Sequence, residues 1–379
     1  MVVRKKRAMT KRKQLKKVAY FSVNSFVGGA EMATLNYCRA HLKNGEWEPT
    51  LIIIGHGDLE EQAKQSSINT IVIDKELRMR NPLKLFSVLI KLRKVLVQND
   101  ISLIHSAMGY AQLLISLAGF RKDIKKVWYQ HGPVGTVFDR IASLFSVDYV
   151  FYNSAHLKRI GELVPASFEH SSSIVSPIVK SYLVEKSFES SIFSFAHLGR
   201  ITSFKNIELI LKGLKDIESY PVKLNLYGDA NSKADIEYKE FLLGEIARLG
   251  LDGKVEFHGY KSDIASVLES NQCVIHSSRF YEPFGLTIAE VLLSATPLVC
   301  SSQSGASEEF INNSECIKYD STSPLNAQRN IVNAMLKVIQ MDKKDLSLMA
   351  SNAQRRALDI FNEHKVIMKL EGLYDKINN

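Results

Sequence analysis

No apolar run in the 379 residues approaches the roughly 18 to 20 that a membrane-spanning helix needs. The basic N-terminus lacks the apolar core of a secretory signal, so a cytoplasmic location is the default expectation. Cysteine is scarce. Cys38, Cys273, Cys300 and Cys316 form no C-x-x-C pair and fall mostly in apolar surroundings, so they read as reduced core residues. Thiolate ligation of a metal has no support in that spacing.

The charge balance lacks a basic folded surface. The net charge of +9 suggests nucleic acid until it is located. Arg4, Lys5, Lys6, Arg7, Lys11, Arg12, Lys13, Lys16 and Lys17 all fall in residues 1–17, which contain no acid. Removing these nine leaves 40 basic residues against 40 acidic ones. The body is neutral, the excess is a tail, and no nucleic-acid partner is expected, because such binding needs cations interleaved with aromatics on a folded face. Residues 1–15 carry seven cations and no acid and are expected to be disordered. Met9 is a second candidate start that would shorten the tail.

What is present is an alternation of short β-branched runs with amphipathic stretches. Strands are expected at 18–23, 50–54, 70–73, 103–105, 126–130 and 149–152, with helices at 30–42, 83–97 and 112–119 between them. Such alternation means a parallel sheet covered on both faces. The pattern pauses over 179–190, which is polar. It then restarts with strands at 193–198, 223–227, 255–258, 273–276 and 297–300, and helices from 206, near 236–249 and from about 285. The expected fold class is α/β, with two Rossmann-like domains facing across a cleft. The expected divisions are a basic tail at 1–17, a first domain at 18–180 and a second at 181–362. A C-terminal helix over 363–379 is expected to pack back toward the first domain. Ligands of open parallel sheets bind at the carboxyl ends of the strands.

Three sequence elements fall at such strand ends. In the first, Glu282-Pro283-Phe284-Gly285 forms a turn directly before the apolar helical run of Leu286 and its successors, leading to Glu290. A helix start there offers free backbone N–H groups and a positive dipole end to phosphate. Eight residues separate Glu282 and Glu290, about two helical turns or roughly 12 Å. Two carboxylates so spaced suit hydroxyls on two sugar rings of one elongated ligand; the alternative is a capping acid and an unrelated surface glutamate. In the second element, Gly199 lets the chain turn, and Arg200 and Lys205 put two cations where a helix begins, suited to a diphosphate or simply solvated. In the third, Gly28 and Gly29 allow close approach of backbone to ligand. That loop is not G-x-G-x-x-G, gives no support for a dinucleotide, and by itself reads equally as a tight turn.

Taken together these elements resemble the family 4 glycosyltransferases of the GT-B fold, retaining enzymes that use nucleotide-diphosphate sugars. The resemblance spans nearly the whole chain after residue 17, and its most specific element is E-x7-E in the E-P-F-G-L form. Gly28-Gly29-Ala30-Glu31, Gln130-His131-Gly132, Tyr227-Gly228-Asp229, Phe257-His258-Gly259-Tyr260, Thr296-Pro297-Leu298-Val299 and Ser304-Gly305-Ala306-Ser307-Glu308 also match. The resemblance implies that Glu282 binds hydroxyls of the donor sugar and Glu290 those of the ribose. It implies that the N–H groups of Phe284, Gly285 and Leu286 line the sugar and diphosphate. Arg200 and Lys205 would hold the diphosphate and stabilise its charge as it leaves. Gly29 would approach the phosphates from the opposite domain beside Gly28, the backbone around Tyr260 would contact the base, and His131 would face the donor sugar.

The chain also departs from the family's pattern. Asn206 and Ala295 stand where glycine is usual, Ser304 replaces a glycine, and Val175-Ser176-Pro177-Ile178-Val179 replaces a common Asn-Gly-Val-Asp segment. None of these removes a charged donor ligand. D-x-D is absent, so a metal–diphosphate clamp is not expected, and no metal or cofactor is called for. The expected partners are a UDP- or GDP-linked sugar and a glycan or lipid-linked glycan acceptor, in surface polysaccharide biosynthesis. A sugar-nucleotide sensor without catalysis, or an epimerase of the same architecture, is the competing expectation. Residues 77–99 carry Arg78, Arg80, Lys84, Lys91, Arg93 and Lys94 and no acid. On the 83–97 helix Lys84, Lys91 and Lys94 share one face and Leu85, Leu89, Leu92 and Leu96 another. With the tail, this offers docking on an anionic leaflet; a core helix with a solvated face is the alternative.

Overall fold

A computed structural model describes residues 16–73, 81–119, 123–132, 137–161, 171–279, 282–302, 309–312 and 314–379. The expected tail at 1–15, Arg78 and Arg80, and the 304–308 loop lie outside these residues.

The first sheet is built from β1 (Lys16–Ser22), β2 (Trp47–Ile53), β3 (Asn69–Val72), β4 (Leu103–Ala107), β5 (Lys125–Gln130), β6 (Tyr149–Tyr152) and β7 (Ser172–Ile174). The connecting helices are α1 (Gly29–Asn44), α2 (Asp58–Gln65), α3 (Pro82–Gln98), α4 (Met108–Leu117), α5 (Val137–Ala142) and α6 (Ala155–Gly161). The order is β3-β2-β1-β4-β5-β6-β7 with every pairing parallel. The second sheet comprises β8 (Phe193–Leu198), β9 (Val222–Tyr227), β10 (Val255–Gly259), β11 (Cys273–His276), β12 (Leu298–Ser301) and β13 (Ile317–Tyr319) in the order β10-β9-β8-β11-β12-β13, again parallel. It carries α7 (Ile207–Asp216), α8 (Lys233–Leu249), α9 (Ile264–Ser270), α10 (Leu286–Leu293), α11 (Pro324–Gln340) and α12 (Lys343–Ile360). Each sheet has an apolar layer on both faces, which is why its central strands are continuous runs of Val, Ile, Leu and aromatics. In both sheets the strand order reverses beside the first strand, β1/β4 and β8/β11, and a crevice opens at that point.

The chain returns to its starting sheet. After α12, Phe361 and Asn362 turn it, and α13 (Glu363–Asn378) lays Val366, Ile367, Leu370 and Tyr374 into the core that contains Val18, Tyr20, Leu35 and Tyr37. Polar groups fix its position. His41 Nδ1 lies 2.6 Å from the Glu371 carboxylate, which also accepts the backbone N–H groups of Glu46 and Trp47. Tyr20 and Tyr374 join hydroxyls at 3.0 Å, and Lys16 pairs with Asp375 at 2.8 Å. Lys16 and Lys17, counted in the sequence with the tail, therefore belong to β1, paired with Trp47 and Glu48.

Two of the departures noted in the sequence fall on backbone that favours glycine. Asn206 has φ 52° and Ala295 φ 50°. Asparagine tolerates the left-handed region well, and Asn206 occupies the N-cap of α7. Alanine does not. At the end of α10, Thr296 N–H bonds to Val291 O and Ala295 N–H to Leu292 O, a Schellman closure whose left-handed residue is normally glycine. Relief of about 1–2 kcal/mol of steric cost, partly offset by the freedom glycine adds to the unfolded chain, makes Ala295→Gly stabilising by about 0.5–1 kcal/mol. Urea unfolding should show a higher midpoint with an unchanged slope, and a lower midpoint would contradict the strain.

Candidate functional site

The carboxyl ends of β8 and β11 are stitched together by side chains from two loops. After β8 the chain turns at Gly199, φ 137°, because β9 crowds it: a Cβ on Gly228 would lie 2.0 Å from the Gly199 carbonyl oxygen. The turn continues through a short 3-10 segment, Ser203–Lys205, to Asn206 and α7. After β11, Ser277 donates to the carbonyl of Lys205 at 2.7 Å, and Arg279 donates its Nε–H to the carbonyl of Ser203 and pairs with Glu208. These bonds leave Lys205 and Glu282 pointing at one another.

Lys205 forms an ion pair with Glu282 Oε1, and both side chains are largely shielded from solvent. The same oxygen receives Ser278 Oγ at 2.7 Å and His276 Nε2 at 3.1 Å. Burial works to raise the Glu282 carboxyl, but Lys205 and His276 beside it outweigh that and hold it well below the usual carboxylate range. His197, on β8 next to this group, is fully buried. Desolvation, aided by Lys205 and His276, pushes it down to about 3, so it carries no charge.

Glu282 precedes the helix rather than standing on it. Pro283 and the left-handed Gly285, φ 83°, delay the start of α10 to Leu286, so Glu290 lies little more than one turn along α10. The sequence-based spacing of two full turns is thereby shortened. Burial pushes the Glu290 carboxyl up to about 7 against the opposing charge of Lys180, and Tyr182 is close enough to feel Glu290, Tyr260 and Asp263. The side chain of Phe284 turns into the core against Phe310 and Phe361, leaving only its backbone for the site. Tyr260 is exposed, but its N–H already bonds to Asp229 Oδ1 at 3.0 Å. Arg200 is exposed beside the Gly199 turn.

The first sheet supplies the facing wall. A Cβ on Gly29 would come 3.5 Å from Leu286 Cδ1, so the start of α1 lies against the start of α10. Glu31 turns inward and accepts from Gly28 N–H and Asn24 Nδ2, where a Cβ on Gly28 would lie 2.9 Å from the carboxylate. His131, at the end of β5, sits 4.1 Å from the Tyr129 ring, and burial pushes it down to about 3. Ser154 donates to the carbonyl of Pro283 at 2.6 Å, and the Glu309 carboxylate accepts the N–H groups of Ala155 and His156. The two domains thus touch through the Glu282–Gly285 turn itself.

Sequence reasoning missed His276, Ser278, Ser154 and Glu309. His276-Ser277-Ser278-Arg279 runs directly into the Glu282 turn, so its place at a strand end was the available signal. Ser154 and Glu309 gave none, because their partners are more than 100 residues away. Met108, another residue the sequence did not single out, opens α4 in the left-handed region, φ 69°, beside Gly132. Among the described residues no cluster of three His, Cys, Asp or Glu side chains is placed to hold a metal.

Comparison with known proteins agrees with this architecture. The family model "Glycosyltransferase Family 4" matches residues 27–163, and "Glycosyl transferases group 1" matches residues 186–356. Mannosylfructose-phosphate synthase of Agrobacterium fabrum is 29% identical over 114 residues, 28% of this chain and 25% of that protein. An uncharacterized glycosyltransferase of Methanocaldococcus jannaschii is 30% identical over 113 residues, 29% of this chain and 27% of that one. The matched segments thus span about a quarter of those relatives. Among solved structures, HepE of Anabaena with UDP and glucose superposes with a TM-score of 0.82 at 19% identity, covering 95% of this chain and 99% of HepE. Sucrose-phosphate synthase of Thermosynechococcus elongatus gives 0.77 at 14% identity, covering 96% and 99%. With one family model on each sheet and GT-B structures matching along almost the full length, the chain belongs to the family 4 glycosyltransferases of the GT-B fold.

Proposed function

We propose that this chain is a retaining, metal-independent transferase that moves a hexosyl unit from a UDP- or GDP-linked sugar to a glycan or lipid-linked glycan acceptor in surface polysaccharide biosynthesis. The observation that carries the reading is the meeting of Lys205 and Glu282 at the β8/β11 switch point, opposite Gly29. UDP is the favoured carrier, because HepE, similar along nearly its whole length, was solved with UDP and with UDP-glucose.

In this reading the diphosphate lies at the start of α10, against the N–H groups of Phe284, Gly285 and Leu286, with the helix dipole favouring its charge. Lys205 swings from Glu282 to the diphosphate, and Arg200 joins it from the exposed side. Their stronger hold on the departing diphosphate than on the intact donor lowers the barrier. Glu282 accepts hydroxyls of the donor sugar, Glu290 those of the ribose, and His131 closes the sugar side as a neutral ring. The acceptor oxygen forms its bond to the anomeric carbon on the face from which the diphosphate oxygen leaves. That departing oxygen takes the acceptor's proton, so no protein nucleophile is required.

Membrane docking is part of the proposal, through the solvent face of α3 that carries its cations. Val88, Leu92 and Leu96 are buried and Leu85 and Leu89 pack beside them, so the leucine face of α3 covers the sheet. A second stripe stays in solvent: Leu83 is 81%, Phe86 63% and Ile90 52% exposed, among exposed Lys84, Lys91, Arg93 and Lys94. Val137, Ile141 and Leu144, on and just after α5, are also exposed apolar side chains. No described helix is long and apolar enough to cross a membrane. Peripheral attachment to an anionic inner leaflet fits this surface, each nearby cation contributing about 1 kcal/mol.

Three outcomes test these statements. Glu282→Ala and Lys205→Ala should each lower nucleotide release from the sugar donor by about 10²-fold or more with unchanged circular dichroism; near-normal turnover in either removes the site assignment. Because burial holds Glu290 near 7, UDP affinity measured calorimetrically should weaken as pH falls through 7, with release of a proton on binding. Glu290→Gln should abolish that dependence, and a pH-independent wild type would contradict the ribose role. Phe86→Glu combined with Ile90→Glu should reduce sedimentation with phosphatidylglycerol vesicles severalfold while UDP binding is retained. Unchanged sedimentation would place any docking elsewhere.

A further inference from the structure

We propose that His276 is a positioning residue that keeps Glu282 anionic and turned toward the donor sugar while Lys205 leaves it for the diphosphate. The inference rests on the transferase reading above and assigns a task to a residue that reading does not use.

Among the described residues the partners of Glu282 converge on one oxygen. Lys205 Nζ, Ser278 Oγ and His276 Nε2 meet Oε1, and among the described residues Oε2 receives none. Oε2 is therefore the oxygen available to a sugar hydroxyl, and the three partners set its direction. They are not equivalent. Lys205 is carried by a four-carbon stem from a 3-10 turn, and its ammonium already lies beside the Gly199 bend, where a Cβ would come within 3.9 Å of Nζ. Moving that charge onto a diphosphate at the neighbouring helix start takes only side-chain rotation. His276 is the last residue of β11, is 2% exposed, and is fixed by the sheet.

The tautomer follows from the bonding. A carboxylate oxygen only accepts, so Nε2 carries the hydrogen, while Nδ1 is buried with no hydrogen-bond partner among the described residues. Among the described residues no second cation contacts the Glu282 carboxylate. His197, facing the cluster from β8, carries no charge, and Ser278, 3.4 Å from the His276 ring, offers a single hydroxyl. When Lys205 leaves, an enclosed carboxylate without a donor would take up a proton and lose much of its strength as an acceptor from the sugar. The His276 Nε2–H and the Ser278 hydroxyl, both on the same strand end, hold it ionised through the exchange.

The test compares His276→Leu, which deletes the donor at similar volume, with His276→Gln, whose amide can donate to the same oxygen. For His276→Leu the rate of nucleotide release at saturating sugar donor should fall about tenfold or more. Its affinity for UDP alone should stay within about twofold, because UDP lacks the sugar that Glu282 meets. His276→Gln should regain most of the lost rate. An unimpaired His276→Leu overturns the proposal, as does a loss of UDP affinity as large as the loss of rate, or a His276→Gln variant no better than His276→Leu. If the wild-type chain releases no nucleotide from any UDP- or GDP-sugar, the transferase reading fails instead. The positioning arrangement is then decided by 15N spectra of histidine-labelled wild-type chain. Those should show the Nε2–H tautomer at His276, with a resonance that shifts in Glu282→Gln. An Nδ1–H tautomer, or a resonance indifferent to Glu282, rejects it.

Discussion

Lys205 reaches past the Gly199 bend to the carboxylate of Glu282, and the geometry of the cleft depends on that contact. It joins the loop after β8 to the loop after β11, the two strands between which the second sheet reverses its order. Without it, an enclosed glutamate and an enclosed lysine would each be an uncompensated charge, a far costlier state than the pair. The surrounding bonds, Ser277 to the carbonyl of Lys205 and Arg279 to Ser203 and Glu208, hold the loops in the register that the pair needs. The two charges thus neutralise one another within the site. In the proposed function these two groups serve opposite ends of a sugar diphosphate, and the donor would replace one strong contact with two.

The first domain takes part through closeness rather than through charge. Gly29 lies against Leu286, Ser154 bonds to Pro283, and Glu309 satisfies backbone N–H groups of Ala155 and His156. The turn that carries Glu282 is therefore held by both domains, and a change in their separation is felt at Glu282 directly. The C-terminal helix gives the arrangement a second tie. By crossing back to the first sheet and seating Glu371 on His41 and two backbone N–H groups, α13 makes the chain pass between the domains twice. Two crossings restrict relative motion more than one linker does, and both lie close together at Val179 and Phe361, which pack in the same cluster.

Burial sets the electrical character of the site more than composition does. Two glutamates eight residues apart acquire opposite tendencies: Glu282 is held ionised by Lys205 and His276, whereas Glu290, with only Lys180 to oppose desolvation, is pushed up to about 7. His131 and His197 are both driven down to about 3 by enclosure and act as neutral rings. The surface follows the same logic. The leucine face of α3 covers the sheet, while Lys84, Lys91 and Lys94 stay in solvent beside Leu83, Phe86 and Ile90, which periodicity did not single out.

Much of this was legible in the residues. The alternation of strands and helices fixed two parallel sheets, because only a sheet covered on both faces turns short β-branched runs into buried strands. Glu282-Pro283-Phe284-Gly285, Arg200 with Lys205, and Gly28-Gly29 marked strand ends, since turns, cations and glycines there have no core to fill. Asn206 and Ala295 stood out as replacements of the family's glycines, and the structure showed why glycine is usual there, at φ 52° and 50°. The short strands β7 and β13 escaped notice, being three residues each with no period to detect. Tertiary structure alone decided that Lys205 meets Glu282, that His276 and Ser278 share its oxygen, and that Glu309 reaches α6. Those contacts join positions up to about 150 residues apart, and local propensity carries no information about which distant side chain will share a carboxylate. The sequence specified which groups stand at the strand ends; the packing of two sheets around one cleft specified which of them touch.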